Sequence, residues 1–483
     1  MNGNTDDLTE GDGFDVDTLD FGELEYEDAP RPRPTSIDET VEQAEDADLA
    51  LVRFLWCDNA GAVRGKMTGL RTLAARMTSG IGLTVAMQAM NMLDHLQAVE
   101  GLGPVGEVRL VPDPASFVLL PYAEGQGAMM CDLMTLDGRP WGACPRSFLK
   151  RQIARLAEHD LQLQAAVEGE FLLAYDDDGR LVPVDEALCF GAAAMNAAAT
   201  YVSALVDALE RQGLALEQYY PELGHGQQEL SVQHAAALRA ADDAVTVRET
   251  VRGIASLHNL QASFAPKPLA DQAGNGAHIH FSLWDPSGEV NTFYDPDGRY
   301  NLSPLGRQFI AGVLAHLAGL VALTCPTVNS YRRLQPRSWA SAFTCWGPDN
   351  REAAVRVASP FRGAESTSVN AELKAADGSC NPYLALGGLI AAGLDGIARA
   401  LDPGDPVLVD PAAFSEQERE RLGIHRLPAS LGEALDALQR DTVLTTALGP
   451  LLLASFTAVK RGEIADFAAQ DEAFELRAHA HTF

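Results

Sequence analysis

The run Ala165-Ala166-Val167-Glu168-Gly169-Glu170-Phe171-Leu172-Leu173 constrains this chain more than any other stretch. Its acids sit among aliphatic and aromatic neighbours, so it reads as a buried strand. The strand period of two places Glu168 and Glu170 on one face, with Val167, Gly169 and Phe171 on the other. Adjacent carboxylates in a buried strand require a cation, because unpaired charge is costly to desolvate. A lone Glu-x-Glu is common on solvated sheet faces, so the reading depends on what accompanies it.

Three other stretches supply that company. Glu217-Gln218-Tyr219-Tyr220-Pro221-Glu222-Leu223-Gly224-His225-Gly226-Gln227-Gln228-Glu229 flanks a glycine-containing turn with carboxylates, and Glu222 and Glu229 can both turn inward. Gly274-Asn275-Gly276-Ala277-His278-Ile279-His280-Phe281-Ser282-Leu283-Trp284 reads as a strand whose polar face carries His278, His280 and Ser282. One histidine would suit a packed core, whereas a His-x-His pair with a serine on the same face suits a metal and phosphate surface. Arg332, Arg333, Arg337, Arg351 and Arg356, with Arg362 nearby, form a dense arginine stretch that would repel itself unless anions were bound, surface salt bridges being the alternative. Glu372 and Lys374 follow in Ala371-Glu372-Leu373-Lys374. Oxygen ligands with few histidines favour Mg²⁺ or Mn²⁺ over zinc, and such ions beside arginines suit phosphoryl transfer from ATP.

The remaining features bound the answer. At 483 residues the chain exceeds one compact core, and a net charge of −31 disfavours nucleic acid and anionic membranes as partners. No membrane span is expected, since the longest apolar run, Leu444 to Val459, is broken by a Gly-Pro step. Seven scattered cysteines without a Cys-x-x-Cys pair suggest a reducing cytoplasm and no structural zinc. Only five basic residues are Lys, which together with the acidity points to a halophilic origin. Residues 1–45 read as an acidic, disordered arm. A hairpin around Asp58-Asn59-Ala60-Gly61 and strands at Glu107 to Val111 and Ser116 to Pro121 give a small sheet domain over 46–142. Mixed strands and helices fill 143–483, with helices at 145–160, 192–212 and 382–401. Gly101-Leu102-Gly103-Pro104-Val105-Gly106 fits a dinucleotide fingerprint only literally, because Pro104 interrupts it and a strand follows.

Taken in order, VEGEF, PELGHGQQE, AADDAVTVRETVRGIA, FAPKP, GNGAHIHFSL, NSYRRL, NREAAVR and NPYLALGGLIAAG resemble the glutamine synthetase family, over nearly all of residues 46–483. The resemblance implies an α+β fold: an N-terminal β-grasp domain, then a large catalytic domain of antiparallel strands and helices. It also implies cytoplasmic rings, commonly dodecamers of two stacked hexamers with sites at subunit boundaries. Carried over by motif, Glu170, Glu222 and Glu229 resemble ligands of one metal, and Glu168, His278 and Glu372 those of a second. With two or three Mg²⁺ or Mn²⁺ ions per site, ATP would be met by Glu217, His280, Ser282 and Arg356. Arg351 and Arg356 match the arginines that hold the transferred phosphate, Arg333 the arginine on the glutamate α-carboxylate, and Gly274 the loop lining the glutamate pocket. Lys374 stands where an arginine is expected and keeps its charge, and Asn370 replaces another.

Two departures concern the nucleophile. The family's ammonium-binding aspartate segment is here Gly82-Leu83-Thr84-Val85-Ala86-Met87-Gln88-Ala89-Met90, without a carboxylate. The family's flap glutamate, six residues after the substrate arginine, is here Trp339. The resemblance therefore implies glutamate coupled to an organic amine as a γ-glutamylamide, the Met-rich stretch and Trp339 offering apolar and cation-π surface. Ammonia ligation and a catalytically silent assembly are the alternatives, and the family's adenylylated tyrosine is not evident near residues 400–408.

Overall fold

The computed structural model describes residues 32–483. Its first sheet is built from β1 (Leu51–Cys57), β2 (Val63–Gly69), β3 (Ile81–Thr84), β4 (Glu107–Pro112), β5 (Val118–Leu119) and β6 (Gln126–Met134). The order is β2-β1-β6-β4-β3, with β5 also on β6 and a parallel β1/β6 pair at the centre. Helices α1 (Ile37–Asp46) and α2 (Leu73–Ser79) accompany it, and α3 (Pro145–Ala157) leads out.

The second sheet uses β7 (Gln162–Asp177), β8 (Arg180–Pro183), β9 (Leu216–Pro221), β10 (Gln227–Val232), β11 (Ala235–Ala236), β12 (Gln261–Ser263), β13 (Ala277–Trp284), β14 (Phe343–Pro348), β15 (Ala353–Val357) and β16 (Ala371–Leu373). Its order is β14-β15-β16-β13-β7-β10-β9, almost wholly antiparallel, and β8, β11 and β12 also pair with the long strand β7. The interleaved helices are α4 (Ala192–Arg211), α5 (Ala237–Leu257), α6 (Pro304–Thr324), α7 (Ser330–Arg333), α8 (Glu365–Ser368) and α9 (Pro382–Ala398). The chain ends in α10 (Glu416–Leu422), α11 (Leu431–Arg440), α12 (Thr442–Leu448), α13 (Pro450–Ala468) and α14 (Glu472–Thr482).

The alternation read in the sequence decides which face meets the core. Leu163, Ala165, Ile279, Phe281 and Leu283 join the apolar cluster built on α6 and α9, so the intervening acids and histidines of β7 and β13 face away from it. At the α6–α9 crossing, a Cβ on Gly312 would lie 2.2 Å from the Ala392 carbonyl oxygen, so glycine lets the backbones touch. Asn381 caps α9 through the amides of Tyr383 and Leu384, while its own amide donates to the carbonyls of Cys57 and Asp58. One side chain thus joins the first sheet's hairpin to the second sheet's helices.

Several expectations are corrected. Most of the acidic arm, residues 1–31, lies outside the described residues, but its end is ordered. Ile37, Val41 and Ala44 recur at helical spacing, so α1 packs on the first sheet's core behind a Ser36 cap. The strand expected over Ser116 to Pro121 shrinks to β5, because Pro114 starts a 3-10 turn capped by Asp113. The helices end at Ala157, Arg211 and Ala398, one to three residues early. Leu444 to Val459 bends by 105° between α12 and α13. By length and composition alone α4 and α6 would be apolar enough to cross a membrane, yet α6 is packed inside the fold.

Candidate active site

Antiparallel register gathers the acids. Glu170 lies opposite Glu229, which lies opposite Tyr220; Glu168 lies opposite His278; and Glu372 lies opposite both His280 and Arg356. Directly opposed residues share a face, so β9, β10, β7, β13, β16 and β15 present one polar surface. His278 is its hub: Nδ1 is 3.2 Å from Glu372 and 3.7 Å from Glu168, and Nε2 is 3.7 Å from Glu170. Donor atoms of Glu168, His280 and Glu372 all lie within 4.8 Å of one another. His280, expected at the nucleotide, thus stands 3.4 Å from Glu168 and within 4.8 Å of Glu372, whereas His278 is the nearer histidine to Glu372 at 3.2 Å.

The charge is uneven across the face. Burial opposes ionisation of Glu372, but Lys374, His278, His280 and Arg356 together hold it well below the usual carboxylate range. Lys374 Nζ is 3.1 Å and Arg356 Nη1 2.9 Å from its oxygens. Glu168 is likewise pulled down against burial by hydrogen bonds with His278 and His280. His280 responds in kind: burial lowers it, but Glu168 and Glu372 raise it to about 9. At the other end Glu229 is pushed up to about 11 by burial and by the charges of Glu168 and Glu170, and burial with Glu170 raises Glu222. Tyr220 donates to Glu229, and Gln227 and the Gly276 amide donate to Glu170 at 2.9 Å. Five carboxylates thus converge, and among the described residues no Lys or Arg pairs with Glu222 or Glu229. Oxygen donors with imidazole, short of positive charge at one end, fit hard divalent cations such as Mg²⁺ or Mn²⁺.

Arg333 reaches the same face from α7. Nη1 donates to the Ala376 carbonyl at 3.1 Å, and Nη2 lies 3.3 Å from His278 Nε2. Gly274 and Gly276 pack against it: a Cβ on Gly274 would stand 2.8 Å from Arg333 Cγ, and one on Gly276 2.5 Å from Arg333 Nη2. The Gly-Asn-Gly segment is therefore glycine because an arginine lies across it.

Other expected residues are not brought together. The arginine stretch disperses: Arg333 and Arg356 enter the site, Arg332 turns outward to Glu472 and Glu475, and Arg337, Arg351 and Arg362 are exposed. Glu217 is exposed where β9 bulges against β10. Ser282 accepts from Trp284 Nε1 at 2.8 Å, two residues along β13 from His280. Asn370 contacts His280 Nδ1 at 2.9 Å. Trp339 is 63% exposed at φ +57, with its amide donating to Glu352. The Met87 to Met90 stretch packs instead between the first sheet's core and α13, with Gln88 and Ala89 buried and the Gln88 carbonyl held by Asn59 and by Ser455 of α13.

Tyr220, Gln227 and Asn275 were not singled out from the sequence, although each orders the carboxylates or their loop. Tyr220 was within reach of the strand period, but its partner Glu229 depends on a cross-strand register that sequence does not carry. Phe190 stacks edge-on to Tyr220 at 5.4 Å, and no local signal marks it.

Comparison with known proteins agrees with this geometry. The glutamine synthetase catalytic-domain model matches residues 142–479 and the glutamine synthetase N-terminal-domain model residues 36–141. The chain is 37% identical over 430 residues to the gamma-glutamylpolyamine synthetase GlnA3 of Streptomyces coelicolor, covering 87% of this chain and 91% of that one. It is 37% identical over 395 residues to the glutamine synthetase of Halobacterium salinarum, covering 80% and 86%. Among solved structures, a novel glutamine synthase homolog superposes with a TM-score of 0.81 at 36% identity, over 90% of this chain and 99% of its own. A GmaS/ADP complex superposes with 0.80 at 31% identity, over 92% and 99%. With both family models together spanning nearly all the described residues, this chain belongs to the glutamine synthetase family.

Proposed function

We propose that the chain is an ATP-dependent ligase that activates the glutamate γ-carboxylate as γ-glutamyl phosphate and couples it to an organic amine, giving a γ-glutamylamide. A γ-carboxylate oxygen attacks the γ-phosphorus of ATP and ADP departs; the amine nitrogen then attacks the acyl carbon, loses a proton, and phosphate departs. Glu168, Glu170, Glu222, Glu229, His278 and Glu372 would hold two or three Mg²⁺ or Mn²⁺ ions, which when bound neutralise charge between the two anionic reactants. Arg333 grips the α-carboxylate above Gly274. Lys374 and Arg356, already cationic partners of Glu372, receive the transferring phosphate, with Arg351 joining from its exposed turn. Glu217, His280 and Ser282 serve the nucleotide.

The observation that carries the choice of amine is Trp339, an aromatic ring exposed six residues after Arg333, where the family pattern expects a carboxylate. An indole face attracts an organic ammonium by cation-π contact and apolar burial, neither of which selects for NH₄⁺ over a larger cation. The mixed first sheet, with its central parallel pair, supports the β-grasp reading. Ammonia as nucleophile is the second reading, favoured by the 37% identity to the glutamine synthetase of Halobacterium salinarum. The test is phosphate release from ATP with glutamate and Mg²⁺ or Mn²⁺, comparing ammonium with mono-, di- and polyamines and aromatic amines. An organic amine should exceed ammonium at least about tenfold in kcat/KM; turnover with ammonium alone sinks the proposal.

A further inference from the structure

We infer that the C-terminal helix α14 is a clasp for the glutamate pocket and that Glu475 is a positioning residue for Arg333. The inference goes beyond the choice of amine and rests on reading Arg333 as the α-carboxylate arginine. Helix α7 has a single turn and no side-chain cap, too short to hold its own shape. Its last two residues point opposite ways. Arg333 turns into the site, while Arg332 turns out to Glu475, with Nε on Oε1 at 2.7 Å and Nη2 on Oε2 at 3.0 Å. This planar two-bond pairing fixes the guanidinium's direction as well as its place.

Glu475 also reaches the loop on the other side of Arg333. Asn329, fully buried before α7, donates to Glu475 Oε1 at 3.3 Å and to the Lys267 carbonyl at 3.1 Å, and accepts from the Lys267 amide at 2.6 Å. The neighbouring Pro266 carbonyl accepts from the Asn275 amide at 2.8 Å and backs Gly274. A single carboxylate therefore braces both walls of the pocket, the arginine's helix and the glycine loop. Helix α14 is anchored without it: Phe483 is fully buried, and Arg252 binds the carbonyls of His481 and Thr482. Removing the Glu475 charge should free α7 while α14 stays docked.

The experiment measures calorimetric binding of glutamate at saturating Mg²⁺ and ADP, binding of ADP itself, and the KM for glutamate against kcat. Glu475→Gln should weaken glutamate about tenfold or more and leave ADP binding unchanged, since a displacement of 1 Å at a gripping group costs that much or more. Glu475→Asp should recover most of the loss. Glu472→Gln, which removes only the exposed partner of Arg332, should stay within about twofold. Unchanged glutamate binding in Glu475→Gln, or equal loss of glutamate and ADP, overturns the clasp. Arg333→Ala separates the two ideas: if it leaves glutamate binding intact, the reading of Arg333 fails, and if it abolishes binding that Glu475→Gln does not touch, the clasp alone fails. Arg332→Gln breaks the same pair from the other side and decides the matter should Glu475→Gln not fold.

Discussion

Around Arg146 on α3, aspartates from three parts of the chain converge, and on the sheet face five glutamates do the same. The Arg146 guanidinium binds Asp242 of α5 through two atoms at 3.0 and 2.8 Å, Asp113 at 2.8 Å and Asp132 at 3.3 Å. Lys150 adds a bond to Asp132, and Tyr383 of α9 donates to Asp242 at 2.7 Å. Burial would raise Asp113, yet Arg146 and Lys150 hold it below the usual carboxylate range. On the sheet the corresponding sign is reversed at Glu222 and Glu229. The first cluster carries its own cations and ties the first sheet to α3, α5 and α9; the second, among the described residues, has no Lys or Arg partner at one end, which is the end proposed to take metal.

The largest expected effect comes from breaking the self-sufficient cluster. Arg146→Ala leaves three acids facing one another in a mostly buried place, and urea denaturation should show a loss of about 3–5 kcal/mol. A loss below about 1 kcal/mol would mean that the cluster is well hydrated. The sheet should answer in the opposite way. Glu229→Gln replaces a carboxyl that the metal-free fold holds protonated with a neutral amide of the same shape, so the metal-free protein should melt no lower than the parent, while ATP turnover falls about 10²- to 10³-fold or more. A stability loss matching that of Arg146→Ala would show that Glu229 is structural.

A smaller effect sharpens the same contrast through protons. Because Glu229 is raised to about 11 and Glu222 also upward, the metal-free fold keeps protons that a bound cation must expel. Mn²⁺ should therefore raise the melting temperature more at pH 8 than at pH 6, the increment following ligand saturation at about 2.7 kcal/mol per site at a hundred times Kd. The pH dependence should be largely lost in Glu229→Gln. A metal increment independent of pH would mean that these carboxylates are already ionised.

How far sequence could see follows the same division. The faces of β7 and β13 were legible because period two and an apolar partner face leave one solution, and the ordered glutamine synthetase motifs carried the fold. Interactions fixed by a distant partner were not legible. Arg332 and Arg333 are adjacent and alike in sequence, yet one enters the site and the other pairs with Glu475, a choice made by the docking of α14. Tyr220 needed the register of β9 on β10, and α1 needed the first sheet to give its apolar stripe something to cover.

The smallest expected effect lies far from both clusters, where three helices meet. His316 of α6 bridges Asp441 at 2.7 Å through Nδ1 and Asp395 at 3.0 Å through Nε2. Burial lowers its pKa, but hydrogen bonds and charge from the two aspartates raise it further, so the folded-state value lies above the unfolded one. A raised histidine contributes its full stabilisation below the unfolded pKa, and that contribution fades as pH rises through the folded value. His316→Gln should then cost about 1.5–3 kcal/mol near pH 5.5 and clearly less at pH 9, read as a urea midpoint at each pH. The aspartates differ from the sheet glutamates in having this cation between them, so the same substitution should leave Mn²⁺ binding and ATP turnover unchanged. A cost independent of pH would mean that His316 acts as a neutral hydrogen-bonding spacer, and the division between acids paired within the chain and acids awaiting a cation would then rest on Arg146 alone.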